Sequence, residues 1–198
     1  MILILFGMII LKYESPLIDD GVCTALRNTL EKLNGVFNLK HRRRFNNMPR
    51  LPYQVLVIPY LKEDNNIRYC IFERSSPKSQ IQFIAGGGEG NELPIEAAKR
   101  EVFEEAGINN AIFQQLTSIG YIPTNIFSES QRETWGSDIF VIPEYSFGAE
   151  LKSDIIKISD EHIGFKWVLY DEALQQLNWD SNKTALYELN CRLKANIK

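Results

Sequence analysis

Glu101, Glu104 and Glu105 fall inside the pentapeptide EVFEE. On a helix turning about 100° per residue, their side chains share an arc of about 100°. Carboxylates so close repel one another in water. A divalent cation, which prefers oxygen ligands, turns that repulsion into attraction. Taken alone, the cluster also reads as an ordinary solvated acidic face. The helix that must carry it is legible from its punctuation. Pro94 suits a first helical turn, Gly107 suits a left-handed C-terminal cap, and Ile95, Ala98 and Val102 repeat at helical spacing. Upstream, the run GGGEG from Gly86 reads as a glycine-rich turn feeding this helix.

The wider stretch GGGEGNELPIEAAKREVFEEAGI is what changes the weight of these residues. It resembles the Nudix box, G-x5-E-x7-R-E-U-x-E-E-x-G-U with U aliphatic. Gly86, Glu92, Arg100, Glu101, Val102, Glu104, Glu105, Gly107 and Ile108 fill every defined position. The resemblance implies hydrolysis of a nucleoside diphosphate linked to another group, with Mg²⁺ or Mn²⁺ as cofactor. It also implies a metal set of Gly86 (through its carbonyl), Glu101, Glu104, Glu105 and one further ligand. Arg100 is then expected to pin a neighbouring glutamate by a bidentate contact, and Glu92 to brace the loop. Glu104 is expected to share a second metal or hold a coordinated water.

A second constellation, Ser159, Glu161 and His162 followed by Trp167, resembles the S-x-E-H…W segment of two Nudix groups. These are the dATP and dihydroneopterin triphosphate pyrophosphohydrolases and the asymmetric diadenosine tetraphosphate hydrolases. Glu161 is thereby the candidate for the additional ligand or the general base, completing an expected catalytic set of Arg100, Glu104 and Glu161. His162 is read as a loop or core residue. The segment WDSNK from Trp179 resembles the opening of the last helix in the dihydroneopterin triphosphate group. Arg74 and Lys183 could bind phosphates, and Phe127 and Trp135 could stack on a base or pterin. For the aromatics, packing under their own loop explains the sequence equally well.

Along the chain, the eleven apolar residues MILILFGMIIL are too few to cross a bilayer, which takes about 20. Ile18, Val22, Leu26, Leu30, Leu33 and Phe37 then mark an amphipathic helix, whose apolar stripe must be covered by the main domain or by a second copy in a homodimer. The basic run HRRRFNNMPR reads as a solvated linker. A boundary is placed there, giving an N-terminal extension over 1–47 and a Nudix hydrolase domain over 48–198. Residues 53–61 and 67–74 predict a hairpin, 80–85 a third strand, and 112–121, 138–145 and 161–169 further strands. The stretch between residues 121 and 138 reads as a loop. Residues 171–177 and 181–195 predict helices, the second capped by Asp180 or Ser181. The expected fold class is α+β, an α/β/α sandwich with a mixed sheet between helices.

Composition narrows the function further. A net charge of −3 gives no reason to expect a stable nucleic-acid partner. The three widely spaced cysteines form no CxxC pair, so a reducing, cytoplasmic setting is expected. With only two histidines, His41 and His162, a histidine metal cluster is excluded. The expected function is Mg²⁺-dependent cleavage of a phosphoanhydride bond in a nucleotide-type small molecule, a nucleoside triphosphate of the dATP or dihydroneopterin triphosphate kind. The alternatives are a dinucleoside polyphosphate hydrolase and a regulator that binds nucleotides without cutting them.

Overall fold

The computed structural model describes residues 49–63, 66–76 and 80–195. The apolar start, the amphipathic helix and Arg42, Arg43 and Arg44 of the basic run lie outside them. The first strand, β1 (Arg50–Glu63), is the axis of the sheet. Its run from Val55 to Leu61 is almost wholly apolar because both of its faces are covered. Val55, Val57 and Leu61 enter one core, and Leu56, Ile58 and Tyr60 enter the other.

Around it stand β2 (Asn66–Arg74), β3 (Ile81–Gln82), β4 (Ile84–Glu89), β5 (Ile112–Pro123), β6 (Val141–Leu151) and β7 (His162–Val168). The order is β3-β2-β1-β6-β5, with β4 also paired to β1 and β7 to β2. Among the described strands only β1 and β6 run parallel, Gln54 opposite Glu144 through Leu61 opposite Leu151. The other edge of β1 is shared, by β4 at Gln54 to Val57 and by β2 at Tyr60 to Glu63. Pro59, which has no N–H to give, falls in the gap between those two partners.

The helix α1 (Pro94–Ala106) seals the first core with Ala97, Ala98, Val102 and Ala106. On the opposite face, α3 (Tyr170–Gln176) and α4 (Asp180–Ala195) supply Ala173, Leu186, Leu189 and Leu193. The result is the expected α/β/α sandwich.

Four local expectations are corrected. Gly86, Gly87 and Gly88 form no turn: they are strand, buried in β4 and paired with β1, and the turn comes at Gly90, which has φ 60°. The expected third strand is two, β3 and β4, interrupted at Phe83, whose N–H goes to the Asn182 side chain at 2.9 Å. The stretch before β6 holds a 3₁₀ turn (Thr124–Ile126) and a short helix, α2 (Glu129–Trp135). Ser128 and Gln131 cap α2 reciprocally, a pairing that offsets its shortness. The strand expected at 138–145 starts later and runs on to Leu151.

Candidate active site

The N-terminus of α1 is closed by Pro94 in the first turn and by Glu96, whose carboxylate accepts the Leu93 N–H at 2.9 Å. Its C-terminus ends in a left-handed Gly107 at φ 66°, with the Gly107 and Ile108 N–H groups bonded back to Phe103 and Val102. Fixed at both ends, the helix turns Glu101 and Glu105, one turn apart, inward, while the Glu104 side chain stays 42% exposed.

The glycines of β4 are small because side chains press on them. A Cβ on Gly86 would lie 1.9 Å from the Glu101 carboxyl carbon, and one on Gly87 would lie 2.3 Å from the Arg50 guanidinium. Arg100 lies behind the same strand and has all five of its N–H donors engaged. Two go to Glu92 (2.9 and 3.0 Å), one each to Glu101 (2.9 Å) and Glu104 (3.0 Å), and one to the Gly87 carbonyl (2.6 Å). Glu92 in turn accepts the Glu89 N–H, and its own carbonyl accepts the Tyr53 hydroxyl. Arg100 is thus a hub that orients the acidic side chains.

Glu105 is held from the other side. Its carboxylate Oε2 lies 2.6 Å from Nε2 of His162, and both side chains are buried. The segment before β7 is tethered by Ile156 and Ile158, which pack into the α1 core. The alternating N–H groups of Lys157 and Ser159 cap the last carbonyls of α1, at Ala106 (3.0 Å) and Glu105 (2.9 Å). Glu161 is left exposed at this turn, close enough that its charge raises the Glu105 pKa. Arg74, at the end of β2, acts on the same carboxylate with the opposite sign.

Burial dominates the electrostatics. Desolvation, opposed by Arg100 and reinforced by Glu105, lifts the Glu101 carboxyl to about 8. Desolvation and then Glu161 lift Glu105 to about 8, against Arg74 and a hydrogen bond from the Ala85 backbone. His162 is shifted down by burial, which favours neutral imidazole. Two buried carboxyls that resist ionisation are short of positive charge. Their oxygens, with the close backbone of Gly86, match the donor set of a hard divalent cation. Among the described residues no three such side chains already converge on one point. Glu101 is turned to Arg100 and Glu105 to His162.

The expected substrate contacts are not all drawn to this place. Phe127 and Trp135 pack on each other edge to face, 5.1 Å between ring centres, with the Arg50 guanidinium 5.0 Å over Phe127. The Trp135 indole N–H donates to the Arg50 carbonyl at 2.6 Å. Lys183 lies in the first turn of α4, 4.0 Å from Asp180, which is itself the first helical residue. Two residues exceed their sequence reading. Arg50, counted in a solvated linker, lies half-buried against Gly87 and Phe127. His162, read as loop or core, touches Glu105. Charge pattern hid the first, and the second contact joins residues far apart in the chain.

With the site described, its class follows. Residues 51–189 match the NUDIX domain family model, and the chain belongs to that family. It is a Nudix pyrophosphohydrolase by class. Among its relatives is the dihydroneopterin triphosphate diphosphatase of Haemophilus influenzae, 28% identical over 145 residues, covering 70% of this chain and 88% of that protein. The crystal structure of a Nudix protein from Listeria monocytogenes is 42% identical with a TM-score of 0.66, covering 74% of this chain and 97% of that one. The E. coli dihydroneopterin triphosphate pyrophosphohydrolase shares the fold at 21% identity and a TM-score of 0.58, over 73% of this chain and 99% of that one.

Proposed function

We propose that the protein hydrolyses a phosphoanhydride bond in a nucleoside triphosphate-like substrate of the dATP or dihydroneopterin triphosphate type, releasing pyrophosphate with Mg²⁺ as cofactor. The observation that carries this reading is the buried pair Glu101 and Glu105 behind the Cβ-free backbone of Gly86, with Glu161 exposed beside Glu105. Glu101 and Glu105, with the Gly86 carbonyl, would hold the cation; Glu104 and Glu161 would complete the set. When bound, the cation neutralises phosphoryl oxygens and makes a water more acidic.

The remaining work falls to the chain. Arg100 keeps Glu101 and Glu104 oriented through its five donated hydrogen bonds. Glu161 takes the proton of the attacking water as the new P–O bond forms and the anhydride P–O bond breaks. Arg74, whose charge acts on Glu105, would meet a phosphate at this end of β2. The 28% identity to a dihydroneopterin triphosphate diphosphatase supports that substrate type.

Incubation with Mg²⁺ and, separately, dATP, dihydroneopterin triphosphate and diadenosine tetraphosphate tests it, with products resolved by chromatography. Pyrophosphate and a monophosphate are expected from one of the triphosphates. ATP plus AMP from diadenosine tetraphosphate, with the triphosphates untouched, would replace the proposal with a dinucleoside polyphosphate hydrolase.

A further inference from the structure

Glu105 is gripped twice by one short turn. Ser159 donates its N–H to the Glu105 carbonyl at 2.9 Å, and His162 Nε2 reaches the Glu105 carboxylate at 2.6 Å. The turn is closed on itself by the His162 N–H to the Ser159 carbonyl at 3.2 Å. It is also tied to the end of β2, where the N–H and hydroxyl of Ser75 both donate to the Glu161 carbonyl, at 2.9 and 3.0 Å. The His162 ring is held in place by Phe72, 4.9 Å between ring centres.

We propose that residues 159–162 form a clamp on Glu105, in which His162 is a positioning residue that fixes the carboxylate for cation binding. This deepens the metal-dependent reading above and rests on it. His162 is too buried to meet a substrate, so it acts through Glu105. With the carboxylate ionised, the Nε2–H donates to Oε2, so the clamp itself does not occupy Oε1, which would face a cation. A glutamate side chain has three rotatable torsions, and a rigid ring bonded to its tip removes most of that freedom before a cation arrives. The same turn leaves Glu161, one of the two residues between the grips, exposed. The spacing of Ser159, Glu161 and His162 thereby acquires a mechanical reason: backbone grip, free carboxylate, side-chain grip.

The test is Mn²⁺ binding to the full chain without substrate, by titration calorimetry, beside steady-state kinetics at saturating metal. His162→Phe keeps a ring against Phe72 and removes the donor; His162→Gln keeps an amide N–H near the Nε2 position. The expected result is Mn²⁺ affinity roughly 10- to 100-fold weaker in His162→Phe, largely restored in His162→Gln, with KM for the nucleotide unchanged in both. Affinity within about twofold of wild type in His162→Phe would overturn the clamp, as would equal losses in the two variants. If His162→Phe does not fold, His162→Asn, whose amide falls short of Glu105, replaces it: Gln binding more tightly than Asn supports the clamp, and equal binding overturns it. A wild-type protein that binds no Mn²⁺ would remove the metal reading itself, an outcome separate from these.

Discussion

Glu101 and Glu105 are carboxyls whose proton affinity in the fold exceeds that of ordinary glutamate, near 4.5. The folded state therefore binds more protons than the unfolded chain between that value and about 8. The sign follows directly. The contribution of these groups to stability is fully present below their unfolded pKa and is lost as pH rises through the folded one. A cation that binds the ionised pair offsets this loss. Thermal melts of the metal-free protein from about pH 5 to about pH 8 should show falling stability from this pair, and the rise in Tm on adding Mg²⁺ should grow over the same window. A Mg²⁺ effect that is flat or shrinks with rising pH would contradict the placement of the cation at this pair.

At the level of elements, Glu188 of α4 carries a burden of the opposite sign. The pairing of β5 with β6 slips between Gln115 and Ile119, leaving peptide groups without ladder partners. Glu188 takes them: Thr117 donates its N–H (2.7 Å) and hydroxyl (2.8 Å), Ser118 donates its N–H (2.7 Å), and Arg192 stands one turn on. Burial alone would raise the Glu188 carboxyl, but the Thr117 and Ser118 hydrogen bonds outweigh it and hold the group down to about 2. Its stabilisation is present above its unfolded pKa and is lost as pH falls below that value through the folded pKa of about 2. Glu188→Ala should destabilise the fold by about 2–3 kcal/mol in urea at neutral pH, and the deficit should shrink in acid. A loss under about 0.5 kcal/mol would show that the irregularity in β5 does not depend on this carboxylate.

These elements also mark what the sequence discloses. Helix α1 is readable because local signals agree: Pro94, the repeat of Ala98 and Val102, and Gly107. The glycines at 86–88 mislead because glycine more often marks a turn. Here it marks a strand over which Glu101, Arg50 and Tyr53 lie, contacts that only the assembled sheet reveals. Helix α2 is short and polar with no buried face to give a period, although its Ser128 and Gln131 cap is visible in the sequence. The Glu105 to His162 contact spans 57 residues, and no local pattern encodes it.

On the scale of the whole molecule, one sheet separates two tasks. The core beneath α3 and α4 is built from aliphatic and aromatic side chains. The core beneath α1 carries, along its margin, the buried carboxyls, the Arg100 hub and the turn before β7. No described helix is long and apolar enough to cross a membrane. The site draws the Gly86 backbone from β4, Glu101, Glu104 and Glu105 from α1, and Glu161 from the β6–β7 connection, so it exists only once all three are packed. If the proposed cation binds there, metal and buried carboxylate would be interdependent, and that dependence is measurable.

The most direct measurement is pyrophosphate release from dATP or dihydroneopterin triphosphate by wild type and Glu105→Gln, with Mg²⁺ and in excess chelator. A cation held by this pair predicts turnover that stops in chelator and falls by about 100-fold or more in Glu105→Gln at the same Mg²⁺ concentration. Undiminished turnover in chelator, or a Glu105→Gln rate near that of wild type, would contradict it.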